Sequence, residues 1–203
     1  MLEFRLLYSG RLSGASTTNT EADLKHKMRK DFHPQLRRVW MSKSPLVERY
    51  NSITRFQVSG GGWQSISGID ALANEWKRFG YRFIPIVTEE RALRCSLDIL
   101  FLRPETPGFL FQSGDLDARL KTVFDALRMP HNISEAGGVG PGTDEDPFYV
   151  LMQDAELMSE VKVTTDELFL LPRHATLDVN DVFMVIHVKV HPVRKIEKNL
   201  GFD

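Results

Sequence analysis

Asp115-Leu116-Asp117-Ala118-Arg119-Leu120-Lys121-Thr122-Val123-Phe124-Asp125-Ala126-Leu127-Arg128-Met129-Pro130 is the stretch from which the rest of the chain is read. Ser113 and Gly114 break the chain before it, Asp117 offers an N-cap carboxylate and Pro130 ends it, so the pattern predicts a helix over 118–129. Leu116, Leu120, Val123, Phe124 and Leu127 recur at steps of three and four and form one apolar face that seats on a core. If the chain just before the helix is extended, Asp115 and Asp117 project to the same side and converge at a positive helix N-terminus, with Lys121 one turn further on. Two adjacent carboxylates repel unless a cation joins them. A hard divalent ion with oxygen ligands, Mg²⁺ with Mn²⁺ as a substitute, answers that need, and a lysine beside it points to phosphate chemistry. The plain reading of the same residues is a capped helix with an i, i+4 surface ion pair contributing about 0.3–0.5 kcal/mol.

Working outward, Val150-Leu151-Met152-Gln153-Asp154-Ala155-Glu156 adds an apolar run that ends in acids. Together the two stretches resemble the RusA family of Holliday junction resolvases, whose Asp-Leu-Asp-Asn, lysine and Phe-Asp-Ala-Leu helix precede a strand ending in Asp-Asp. The resemblance covers residues 93–163. It implies that Asp115, Asp117 and Asp154 are the metal-binding and catalytic carboxylates, that Lys121 is the catalytic lysine, and that Asp125 supports them. It also implies a homodimer. Ala118 stands where the family has Asn, Gln153 stands for the first paired acid, and Phe109-Leu110-Phe111-Gln112-Ser113-Gly114 replaces a basic run.

The remaining chain reads as an α+β fold, a mixed β-sheet packed with helices in a single RusA-like domain over 1–203. Residues 2–8, 54–58, 82–88, 93–103, 148–152, 157–163 and 182–190 carry strand patterning, the strand at 157–163 returning from a turn after 152. In 93–103, Leu93, Cys95, Leu97, Ile99 and Phe101 alternate with polar residues, so one sheet face is buried. Leu24, Met28 and Phe32 mark a helix broken or restarted at Pro34, and Ile69, Leu72, Ala73, Trp76 and Phe79 mark a second closed by Gly80. Gly60-Gly61-Gly62 lacks the Gly-Lys-Ser/Thr ending of a nucleotide-phosphate loop and reads as a turn. Residues 131–147, with four glycines and an acidic end, read as a mobile surface loop whose ends lie near the proposed site. His187 and His191 would sit roughly 13 Å apart on a strand, too far to share a zinc ion.

A net charge of −1 excludes a generally basic nucleic-acid binder, so any DNA contact has to be local. Lys25, Lys27, Arg29, Lys30, Arg37 and Arg38 crowd one helix, and with Arg119 and Arg128 they are the DNA-binding candidates. A single cysteine, the lack of a signal-like leader and the lack of a membrane-length apolar run give the expectation of a cytoplasmic protein with no membrane partner. The function expected is a Mg²⁺-dependent, structure-selective endodeoxyribonuclease resolving four-way junctions or other branched DNA in recombination and repair. Two alternatives stand beside it: a non-catalytic branched-DNA-binding protein of the same fold, and a Mg²⁺-dependent nucleotide phosphohydrolase.

Overall fold

The computed structural model describes residues 1–12, 18–104, 115–138, 140–169 and 178–202. Its main sheet has the order β1 (Leu2–Arg11), β9 (Asp181–Pro192), β6 (Leu93–Arg103), β8 (Met158–Glu167). The first three strands pair antiparallel, and β8 adds in parallel to β6. Strict alternation in β1, β6 and β9 sends Leu2, Phe4, Leu6, Cys95, Leu97, Ile99, Met184, Ile186 and Val188 to one face, where they are buried. The Cys95 thiol in that layer is pushed up to about 12 by burial, so it stays a neutral apolar side chain.

The helices are α1 (Thr18–Ser42), α2 (Leu46–Tyr50), α3 (Gly68–Glu75) and α4 (Asp115–Leu127) among the described residues. Met28, Phe32, Leu36 and Trp40 of α1 and Leu116, Val123, Ala126 and Leu127 of α4 share the core built on the inner sheet face. Pro34 does not break α1. Its ring faces outward, and the burial of Phe32, Leu36, Val39 and Trp40 on either side outweighs the roughly 3 kcal/mol that an internal proline costs. The second predicted helix is shorter than expected. It ends at Glu75, and Lys77–Arg78 pairs as β4 with β5 (Tyr81–Val87) across a turn where Phe79 and Gly80 both have positive φ.

A second sheet, β4-β5-β7, sits beside the first. Its parallel strands β5 and β7 (Phe148–Met152) are buried on both faces, as continuous apolar runs require. Ile84, Ile86, Tyr149 and Leu151 face the main core, while Tyr81, Phe83, Phe148 and Val150 form a smaller core with Met129 and Ala136. The expected turn from β7 into an antiparallel neighbour is replaced by a crossing between sheets: the chain leaves β7, makes a 3₁₀ turn at Ala155–Leu157 and enters the main sheet as β8. A hairpin of β2 (Ile53–Gln57) and β3 (Trp63–Ser67) stands away from the body with almost every side chain exposed. No described helix is long and apolar enough to cross a membrane.

Candidate functional site

Helix α4 starts at Asp115, three residues before its predicted start. Asp117 is therefore inside the first turn and is not an N-cap. Residues 115 and 117 both belong to the helix, so the extended segment expected just before Asp117 is not formed. The side chain of Asp115 and all of residues 105–114, including Ser113, Gly114 and the position of the missing basic run, lie outside the described residues. Asp117 and Lys121 are both exposed. Although four residues apart, they form no ion pair with each other or with any described residue.

Asp154 follows β7 and caps the turn Ala155–Leu157 by accepting the Glu156 N–H at 3.3 Å. Its other oxygen lies 2.8 Å from His131 Nε2. Burial pushes its pKa up, but the His131 and Glu156 hydrogen bonds and the Arg128 charge outweigh this and hold it below the usual carboxylate range. These neighbours place Asp154 at the far end of α4 from Asp117. About 16 Å of helix axis separates Asp117 from Arg128, which bridges to Met152 beside Asp154. The sheet gives the same answer. Asp154 precedes Met158, which lies opposite Cys95, whereas Arg119 in the first turns of α4 reaches Asn180 beside the start of β9; Cys95 and the Leu102–Phe183 pair near that start lie about 23 Å apart along β6. Of the carboxylates that the resemblance assigns to one metal, the two whose side chains are described, Asp117 and Asp154, are not brought together. No group of three His, Cys, Asp or Glu side chains among the described residues is placed to hold a metal ion. Gln153, where the family has an acid, accepts the Glu89 N–H at 3.2 Å and so ties the end of β7 to the turn after β5.

Between these two ends lies a buried ionic network. Asp125 takes Lys25 on one oxygen at 2.8 Å and Arg128 on the other at 2.7 Å, and Arg128 goes on to Glu135 at 3.0 Å. Lys25 also meets Glu21 at 2.7 Å. Arg29 donates to three backbone carbonyls, Asp125 at 2.8 Å, Arg128 at 3.1 Å and Glu135 at 2.6 Å. Two of these are carbonyls that a helix end leaves open, so Arg29 closes α4 from the side. Burial pulls the Arg29 pKa down to about 10, and it remains charged at neutral pH. Burial raises Asp125, but Lys25 and Arg128 hold it lower than an ordinary carboxyl.

This corrects half of the expected DNA-binding set. Lys25, Arg29, Arg119 and Arg128 are 8%, 1%, 4% and 4% exposed and cannot meet a phosphate where they stand. A signal for this was present in the sequence: Lys25 and Arg29 lie next to the apolar stripe Leu24, Met28, Phe32 and Leu36, and Arg128 stands three residues after Asp125. Lys27, Lys30, Arg37 and Arg38 do face outward, with Lys30 held by Glu145 at 2.7 Å.

Segment 131–147, Val139 aside, is tied down at many points rather than free. Besides the Arg29 and Arg128 bonds to Glu135, Tyr81 donates to the Ala136 carbonyl, His33 Nε2 lies 3.0 Å from the Asp144 carbonyl, and Arg82 reaches Asp146 at 2.7 Å. The His131–Asp154 pair escaped the sequence reading because nothing in the spacing of 131 and 154 announces it. No family model matches the chain, and neither a curated protein nor a solved structure matches it significantly.

Proposed function

We propose that the protein acts on branched DNA as a RusA-like endonuclease, with the first turns of α4 as its reactive end. The observation that carries this reading is the division of charge on α4. Asp125 and Arg119, like Arg128 just beyond the helix, are buried, whereas Asp117 and Lys121 are exposed and have no partner among the described residues. Neither caps the helix nor completes a surface pair, so the plain structural reading of these two residues gives them no task. A carboxylate free to take a ligand and an ammonium free to approach a phosphate are what phosphodiester hydrolysis asks of a protein. Lys121 then balances the charge gathering on the scissile phosphate. Mg²⁺ enters only as the cofactor that the resemblance implies. The described carboxylates do not form its three-ligand site.

The separation of Asp154 from Asp117 favours a second reading, a branched-DNA-binding protein of this motif without efficient cleavage. One experiment decides between the two. A labelled four-way junction and its matched linear duplex are incubated with protein in Mg²⁺ or in chelator, beside Asp117→Asn and Lys121→Ala. Paired nicks in the junction alone, lost with chelator and in both variants, support the nuclease. Binding of the junction with no nicks in any metal supports the second reading. Both variants should keep the wild-type stability to within about 0.5 kcal/mol, because neither side chain has a partner to lose among the described residues.

A further inference from the structure

Of the cations that α1 leaves exposed, Arg38 stands beside two from its neighbours, Lys43 just past the helix and Arg5 on β1. A groove of about 470 Å³ runs between the exposed side of α1 near its end and the edge of β1. Arg38 and Lys43 enter it from the helix side and Arg5 from the strand. All three are exposed, and among the described residues none of them forms an ion pair. Among the described residues Glu3 is the sole carboxylate lining the groove, and it is engaged by His187, whose Nε2 lies 3.3 Å from Glu3 Oε2. In a chain of net charge −1, most other cations near α1 are committed: Lys25 to Asp125, Lys30 to Glu145, Arg29 to carbonyls. Three uncommitted cations at one groove are therefore a local excess of positive charge, which is what a polyanion recognises.

We propose that this groove binds the phosphodiester backbone of nucleic acid, with Arg5, Arg38 and Lys43 as its phosphate contacts. The proposal rests on the reading of the chain as acting on DNA and adds a contact surface separate from Asp117 and Lys121. Phosphate contacts of this kind set position and register and carry no base sequence, which suits an enzyme or binder that reads branch shape. Arg5 belongs to β1, so the groove exists only once β1 and α1 are packed edge to side. Gln35 fixes that packing, its side-chain oxygen accepting the Leu7 N–H at 2.9 Å and its amide donating to the Leu7 carbonyl at 2.8 Å.

The test uses the full chain in chelator, so that binding is read without cleavage. Anisotropy of a labelled four-way junction, a linear duplex and an RNA duplex of the same sequence is titrated over a range of salt concentrations. Wild type is compared with the triple variant Arg5→Gln/Arg38→Gln/Lys43→Gln and with Lys162→Gln, a cation on β8 at the opposite edge of the sheet. Each lost phosphate contact lowers the slope of log affinity against log salt by about 0.9, so the triple variant should bind more weakly at every salt with a slope lower by about 3. Lys162→Gln should keep the wild-type slope. A triple variant that melts normally and binds with wild-type affinity and slope overturns the groove and leaves the function above standing. A wild type that binds none of the three overturns both. Preference for the RNA duplex keeps the groove and overturns the DNA reading.

Discussion

Both ring nitrogens of His26 lack a hydrogen-bond partner among the described residues, and its ring packs 6.2 Å from Tyr81 and 6.3 Å from Phe148. A Cβ on Gly137 would come within 2.6 Å of that ring, so the neutral imidazole fills its site with no room for a hydrating water on that side. Burial, then the charges of Arg29 and Lys30, pull its pKa down to about 4. The unfolded chain takes up this proton near pH 6.5 and the folded one only near pH 4, so the unfolded state binds more protons in between, and stability falls as pH drops through that window. Thermal melts between pH 7 and 4 should show a steady decline that is flatter in His26→Leu; an unchanged slope in that variant would assign the decline to another group. Glu135, Glu145 and Asp125 are held low by cationic partners and add their losses at more acidic pH. Arg29 makes the larger demand on the fold. Arg29→Met leaves three carbonyls without their donor and strips a charge from Asp125's surroundings, so it should cost about 3 kcal/mol or more in denaturant unfolding. A cost under about 1 kcal/mol would show that water replaces the guanidinium. Arg29 was not legible as structural from its type alone, because an arginine on a helix reads as surface until its place beside the apolar stripe is weighed.

The long strands were legible because alternation over ten or more residues leaves few other ways to bury one face, as Leu93–Arg103 shows. What failed was pairing. The parallel partnership of β8 with β6 joins residues sixty apart, and no local pattern encodes it. The short elements were lost for a related reason: β3 and β4 are two to five residues long, and their pairing depends on turns at Gly60–Gly61 and Phe79–Gly80 whose positive φ the sequence only hints at. The edge of β1 shows a device that also left no sequence trace. Gln35 occupies both backbone groups of Leu7, as a neighbouring strand would. Gln35→Leu frees that edge and should cost about 1–2 kcal/mol while raising self-association, read by light scattering at fixed concentration. A Leu variant that stays as monodisperse as wild type would mean that α1 shields the edge without the amide.

At the scale of the whole molecule, the candidate site was half legible: the sequence singled out α4 and its charges, but which of those charges point outward depends on α1 and on segment 131–147 closing over the far end of the helix. Glycines and acids made that segment read as a mobile loop. The structure makes it a tie between α1, the end of α4 and the second sheet, since Arg29, Arg128, His33, Tyr81 and Arg82 all anchor it. His33 is the pivot. Its Nδ1 accepts the buried Tyr149 N–H at 2.9 Å while its Nε2 meets the Asp144 carbonyl, so one neutral ring holds β7 and the segment to α1. Burial, its leading influence, lowers the His33 pKa and keeps it in that neutral form. If the segment is part of the cooperative fold, native-state hydrogen exchange should show the Tyr149, Ala136 and Gly137 amides opening together with those of β5 and β7, not ahead of them. His33→Ala would leave the Tyr149 N–H without a partner, costing about 1–3 kcal/mol, and should lower the protection of all three amides in step. Exchange of Ala136 and Gly137 at the rate of an unstructured peptide, with Tyr149 still protected, would return the segment to the role of a mobile loop beside an otherwise closed fold.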